Sequence, residues 1–449
     1  MKRVLVACLL AVLAAPAFAV IGTVDDVPAA TLLLPYFEVD LDDANGINTL
    51  MSINNASATA VLAHVIVWTD LSDHILDFNI YLTGYDVQSI SLRDIFVNGN
   101  LPRTADAGND AGDTISPQGP ASYDTAFASC DPFLPYTNPA LNSTYIEHIQ
   151  NLATGQGSDS FGWDGLCSGV DHGDRIARGY ITVDTVNACS LDFPENSAYF
   201  ENGGLPPAVA SNQNVLWGDY FYVNPAENFA QGETLVHIEA DATALPAGGT
   251  NYTFYGRYSL DGGDNREALG NAFAVRYLNG GGFDGGTSLL VWRDSKTNNA
   301  DTDNRFDCGD TPAFFPLGQH QVVVFDEHEN FEVPEGCTIS PCEPGEETTP
   351  FPYEAQRVHV GSGALPTSED FGWIYLNLNF DSGYYFDAIE LTAPWLMQNW
   401  VTATMDAEGR FSVGFDAIQL GNVTDVPNAP DDCIYTFDDG GPVLPCPID

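Results

Sequence analysis

The densest cluster of oxygen ligands lies between Asn298 and Asp310, where Asp301, Asp303, Asp307 and Asp310 recur among asparagines. Carboxylates and amides at alternate positions of a tight loop can converge on one hard cation. The larger Ca²⁺ accepts such irregular oxygen geometry more readily than Mg²⁺. The run departs from an EF-hand, which would need an oxygen ligand at Arg305, glycine at Phe306 and glutamate at Pro312. It therefore reads as an irregular calcium loop, set against the simpler reading of a solvated acidic turn. Asp261-Gly262-Gly263-Asp264-Asn265 and Asp171-His172-Gly173-Asp174 are weaker versions of it.

A second constellation follows Gly372. Ile374, Leu376, Leu378 and Phe380 alternate with Trp373, Tyr375, Asn377 and Asn379, so a strand here would turn its aliphatic set to a core. The opposite face would interleave aromatic rings with amides. A flat ring covers the C–H face of a pyranose while an amide both donates to and accepts from hydroxyls, so this face is the candidate for carbohydrate binding. The plainer alternative is an outer sheet face covered by another segment.

Catalytic signatures are missing. There is no G-x-S-x-G, H-E-x-x-H or G-x-x-x-x-G-K-[ST] in the chain. His64 alternates with Leu62 and Ile66 and reads as a packed, hydrogen-bonded core residue. His328 sits in a charged loop among Asp326, Glu327 and Glu329. A glycosidase-like carboxylate pair leaves no short motif, so a hydrolase stays as the rival to a binding protein. Ser158-Asp159-Ser160-Phe161-Gly162-Trp163 and Ser368-Glu369-Asp370-Phe371-Gly372-Trp373 share an S-acid-x-F-G-W pattern, which raises the question of two related halves.

These residues need a scaffold, and its pattern is period two. Segments rich in Val, Ile, Thr, Tyr, Phe and Trp recur through the chain, from Leu32–Asp40 to Phe411–Leu420. The fold class expected is all-β, an antiparallel β-sandwich, either one large or two smaller, with long disulfide-pinned loops and one or two short helices. Asp42 to Gly46, ending in Asn-Gly, predicts a hairpin turn between Leu32–Asp40 and Asn48–Asn54. Val61–Thr69 is apolar on both faces and should be a central strand. Asp406-Ala407-Glu408-Gly409 predicts a hairpin loop. Asn142 offers an N-cap to a helix with Tyr145, Ile149 and Leu152 on one face, ended by Gly155. Thr392-Ala393-Pro394 opens a second short helix through Trp400.

Met1, the basic pair Lys2-Arg3, an apolar run and Ala17-Phe18-Ala19 match a Sec-type signal peptide cleaved after Ala19. The expected location is secreted, extracellular, or periplasmic and cell surface, with no transmembrane anchor. Beyond the leader stand Cys130, Cys167, Cys189, Cys308, Cys337, Cys342, Cys433 and Cys446, an even set without C-x-x-C spacing. In an exported chain that means disulfides rather than zinc. Cys433 with Cys446, which closes a short terminal loop, is the preferred pair. Residues 1–19 are thus a leader, 20–210 an N-terminal β domain with long loops and 211–449 a C-terminal β domain, unless the two are one.

Charge narrows the partners. With 14 Lys+Arg against 62 Asp+Glu and a formal net charge of −48, the surface has no basic stripe with which to release counterions from phosphates. Nucleic acid is excluded as a partner. The reading is a secreted, acidic, disulfide-stapled protein acting in binding or structure, its partner a glycan or another surface protein and its cofactor, if any, Ca²⁺.

Overall fold

A computed structural model describes residues 27–102, 130, 132–194, 196, 198–201, 204, 207–240, 254–255, 264–294, 305–310, 322–328, 330–332, 351–378, 398–421, 437–438 and 441–442. The architecture is all-β, with four antiparallel sheets packed together. The first sheet has the order β10 (Val236–Ile238), β1 (Thr31–Asp40), β6 (Ile176–Val186), β3 (Val61–Thr69), β4 (His74–Leu82). The second runs β5 (Val87–Ser91), β2 (Asn48–Asn55), β8 (Asp219–Asn224), β9 (Phe229–Thr234), with β7 (Leu216–Trp217) also on β2. The third is β15 (Ala355–His359), β12 (Gly286–Arg293), β17 (Asn399–Ala407), β18 (Phe411–Asp416). The fourth is β14 (Phe331–Glu332), β13 (Val322–Asp326), β16 (Phe371–Asn377), β11 (Ala272–Leu278), β19 (Ile418–Gly421). A small ladder joins β20 (Phe437–Asp438) to β21 (Gly441–Pro442).

β3 is the central strand its composition demands. It lies between β4 and β6, and every residue from Val61 to Thr69 is buried. The short segment β12 makes the connection between the halves of the chain. Leu289 and Val291 enter a core with Phe273, Val275, Ile374 and Leu376, while Leu290 and Trp292 enter the larger core of β1, β3 and β6. Alternation along one strand therefore supplies two cores from one layer. Strands β7 to β10 lie beyond residue 210 yet pair with β1, β2 and each other, so sheet membership changes after Ile238, not near 210.

Two local expectations are corrected. β1 and β2 are not a hairpin: they belong to different sheets, and the Asp42–Gly46 turn carries the chain around the corner between them. One backbone bond, Asp40 N–H to Ile47 C=O at 2.7 Å, remains at the corner. β1 is buried along nearly its whole length while the first residues of β2 alternate between buried and half-buried, so the two strands serve different layers, and that tertiary demand overrides the Asn-Gly signal. Nor do the two S-acid-x-F-G-W segments share a backbone. Ser158–Trp163 is a turn, whereas Phe371-Gly372-Trp373 opens β16. The β17–β18 hairpin forms as expected, with Ala407 opposite Phe411.

Two helices are described. α1 (Leu92–Phe96) is a single turn, and α2 (Ser143–Ala153) begins where Asn142 Oδ1 accepts the Tyr145 N–H. α2 buries Ile149 and Leu152 and ends at Gly155, whose φ of 70° suits glycine and whose missing Cβ would lie 2.2 Å from the Asp171 backbone. Among the described residues no helix is long and apolar enough to cross a membrane. The Thr392–Pro394 helix start and residues 1–19 lie outside the described residues. Disulfides join Cys130 to Cys189 and Cys167 to Cys308, with Cα separations of 5.0 and 5.1 Å. Cys337, Cys342, Cys433 and Cys446, and with them the Cys433–Cys446 pair, lie outside the described residues.

Candidate functional site

Five segments far apart in sequence line a cleft of about 520 Å³: Asp73 to Asp77, α2, the turn around Phe161, Phe193 and Arg305. Its first wall is the start of β4, at the edge of the first sheet. The turn before it is tied by Thr69, whose N–H donates to Asp73 C=O at 2.8 Å and whose hydroxyl accepts the Asp73 N–H at 3.1 Å. Ser72 is held there at φ 64°. A bulge then shifts the register, so that Val67 pairs with Leu76 but Trp68 with His74. Bulges of this kind re-aim side chains at sheet edges and next to sites.

Farther along β4, Asn79 N–H points away from β3 to Leu134 C=O at 2.9 Å. Asp77 lies two residues earlier with the same parity, so its backbone N–H and C=O also face away from β3.

The second wall is aromatic. Tyr145 and His148 stand one turn apart on α2, their rings 5.9 Å apart. His148 Nδ1 lies 2.7 Å from Ser158 Oγ, which locks the ring against the loop that follows. That loop closes on itself through Gly165 N–H to Ser158 C=O at 2.9 Å and Leu166 N–H to Trp163 C=O at 2.9 Å. Its backbone takes positive φ at Phe161 (55°), Gly162 (80°), Asp164 (51°) and Gly165 (85°). A phenylalanine in the left-handed region is strained, and such strain concentrates at ligand sites. The strain here keeps a large apolar ring 56% exposed, 4.9 Å from the rings of both Tyr145 and His148. Trp163 is turned inward, 5.6 Å from His148.

The Cys167–Cys308 bond completes the cleft from the far half of the chain. It pairs Cys167 with Phe306 through reciprocal backbone bonds of 2.9 and 3.0 Å. Arg305 is thereby set over the Trp163 ring at 5.3 Å, with its guanidinium donating to Gly162 C=O at 3.0 Å. On the opposite side His74 packs on Phe193 at 3.7 Å between ring centres.

The electrostatics follow from burial. Loss of water lowers His74 to about 4, with His64 adding to it, and lowers His148 to about 4. Both imidazoles are neutral at physiological pH. Burial raises the Tyr145 phenol to about 12. Asp77 is also raised, first by burial and then by Asp192, against the opposing pull of His64. Its Oδ1 has no hydrogen-bond partner among the described residues and lies 3.9 Å from His64 Nε2. His64 itself is the packed core histidine expected, its Nδ1 3.0 Å from Asn79 Oδ1.

The residues singled out from sequence fall elsewhere. Tyr375 is 3% exposed and Asn377 0%, and Trp373 is partly buried and stacked on Phe325 of the neighbouring strand at 4.4 Å. The Trp373 face is thus not an open aromatic platform, and Asn379 lies outside the described residues. The covering of this face is what alternation alone does not report. Asp301 and Asp303 also lie outside the described residues. Asp307 and Asp310 are exposed in a turn closed by Asp310 N–H to Asp307 C=O, and among the described residues no three His, Cys, Asp or Glu side chains gather as metal ligands. His328 is an exposed loop residue whose N–H donates to Asp326. His172 of the weaker acidic turn instead reaches buried Asp70 at 3.2 Å.

A second cavity, of about 400 Å³, lies between β1, β6 and β15. Its cations are engaged: Arg357 donates to Glu38 at 2.7 and 3.1 Å, and Arg178 holds Asp174 through two bonds of 2.7 and 2.8 Å. This is a clasp between the halves of the chain, with few donors left for a ligand. Compared with known proteins, the chain matches no family model, no curated protein and no solved structure.

Proposed function

We propose that this is an exported glycan-binding protein and that the sugar sits in the cleft between β4, α2 and the Phe161 loop. The observation that carries the reading is Phe161, a large apolar ring held exposed at positive φ beside Tyr145, His148 and Trp163. Flat rings suit the C–H faces of a pyranose. Asp73, Asp77 and the outward backbone of β4 supply acceptors and a donor for hydroxyls, the mixture of apolar walls and few polar groups that small-ligand sites use. A net charge of −48 disfavours acidic glycans. Export is supported by the basic pair, apolar run and A-x-A triplet at residues 1–19 and by the paired cysteines.

The test is a glycan array followed by calorimetry on the mature protein and on Phe161→Ala. Retention of an oligosaccharide by the first and its loss by the second is the expected pair of results. Unchanged affinity in the variant would place the site elsewhere.

A second reading, hydrolysis, is favoured by Asp77 alone. Its carboxyl is raised by burial, as a general acid requires, and Asp73 shares the cleft. Release of reducing ends that disappears in Asp77→Asn, with binding kept, would establish it.

A further inference from the structure

The two disulfides among the described residues differ in what can reach them. Cys130 and Cys189 are both buried, in a cluster with Leu62, Tyr81 and Val186. Cys167 is buried as well, but its partner Cys308 is exposed. Thiol–disulfide exchange requires a thiolate to approach one of the sulfurs, so access alone separates the two bonds.

The sulfurs of the accessible pair also have somewhere to direct protons. Cys167 Sγ lies 3.2 Å from the Gly155 carbonyl oxygen and Cys308 Sγ 3.5 Å from that of Gly165. A disulfide has no hydrogen to give either carbonyl, whereas a pair of thiols would donate weakly to both. The fold thus suits the reduced pair as well as the bonded one. Around Cys308, the non-covalent ties to the cleft are the two Cys167–Phe306 backbone bonds, the packing of Phe306 against Leu71 and Val170, and Arg305, whose guanidinium reaches Gly162 C=O and the Trp163 ring.

We propose that Cys167–Cys308 is a reducible latch on the cleft, opened by a dithiol donor and closed again by oxidation. A donor thiolate bonds to Cys308 Sγ and the S–S bond breaks, releasing Cys167 as a thiolate that takes up a proton. The donor's second thiolate then displaces Cys308, which is protonated in turn. The protein pair gains two electrons and two protons, and the donor ends as its own disulfide. Without the tether Arg305 leaves Gly162, and the Phe161 loop loses the wall supplied by the far half of the chain. That opening lowers sugar retention is the one part that rests on the glycan-binding reading.

The experiment incubates the mature protein with graded dithiothreitol near neutral pH, alkylates it and maps the labelled cysteines by mass. Cys167 and Cys308 should be labelled at about tenfold less dithiol than Cys130 and Cys189, while calorimetry still shows folded protein. Amide hydrogen exchange across Phe161–Gly165 and at Phe306 should become about tenfold faster on reduction and slow again on reoxidation. In Cys167→Ser/Cys308→Ser it should be fast from the outset and indifferent to dithiol. The signal on a glycan array should fall when the protein is reduced. Loss of both bonds together, or only on unfolding, would overturn the latch, and so would exchange that reduction does not change. These results are read on the unaltered chain and stand even if the serine variant fails to fold. An array signal equal in both redox states would overturn the control of the cleft. An array blank in both would overturn the glycan reading and leave the latch to stand on the exchange data.

Discussion

Asp184 and Asp77 are aspartates of the same sheet, and their surroundings are opposites. Asp184 lies on β6, between β1 and β3, and is fully buried. Thr31 donates to one of its oxygens, Tyr199 and Tyr255 donate to the other at 2.8 and 3.1 Å, and Arg266 stands 3.9 Å away. Arg266 in turn donates to Thr31 Oγ1 at 2.7 Å and to Ser211 C=O at 2.7 Å. Burial, and then Asp184 itself, hold both phenols well above their usual range, so they remain donors. Asp77 lies on the edge strand with one oxygen unmatched. A carboxylate in the middle of a sheet can be saturated by the fold, whereas this one at the edge turns an oxygen toward the buried His64 at 3.9 Å, too far for a hydrogen bond.

The sharpest way to break this contrast is substitution at both positions. Asp184→Ala leaves Arg266 buried beside an empty partner position and should cost about 3–5 kcal/mol in urea unfolding. Asp77→Asn should stay within about 1 kcal/mol. Equal costs would mean that the edge carboxylate is as structural as the central one.

Acid supplies the next effect. In the unfolded chain His74 and His148 take up protons near 6.5, but in the folded chain only near about 4. The unfolded state binds more protons between those values, so stability should fall as pH drops through that window, by roughly 2–3 kcal/mol per histidine. Asp77, raised by burial, works in the opposite sense and moderates the fall. His148→Gln should flatten the pH profile of the thermal midpoint, and an unchanged profile would put the acid sensitivity elsewhere.

Smaller effects separate cleft from core more finely. Phe161→Ala should weaken oligosaccharide binding by about 1–2 kcal/mol with little change in unfolding free energy, since the ring is exposed. Arg305→Gln removes a cation from the Trp163 ring and should shift affinity by about 0.5–1 kcal/mol, read in the same titration.

Much of the scaffold was legible because it is written in short range. Val61–Thr69 is apolar on both faces apart from His64 and Thr69, which suits a central strand, and Asn142 with Gly155 marks the ends of α2. The cleft was not legible, since Asp77, His148, Phe161, Phe193 and Arg305 meet only after a bulge, a strained loop and a disulfide have formed. Phe161 did leave a trace in Ser-Asp-Ser-Phe-Gly-Trp, but the second copy of that pattern drew attention toward duplication. Trp373 misled for a related reason. Period-two alternation distinguishes two faces, yet whether water or Phe325 meets the aromatic face depends on a neighbouring strand.

The shared strand β12 has a consequence for cooperativity. Leu289 and Val291 wall one core and Leu290 and Trp292 the other, so melting either core strips one side of the strand on which the other rests. Excising either half should therefore destabilise the other, and heating should dissolve both in a single calorimetric transition.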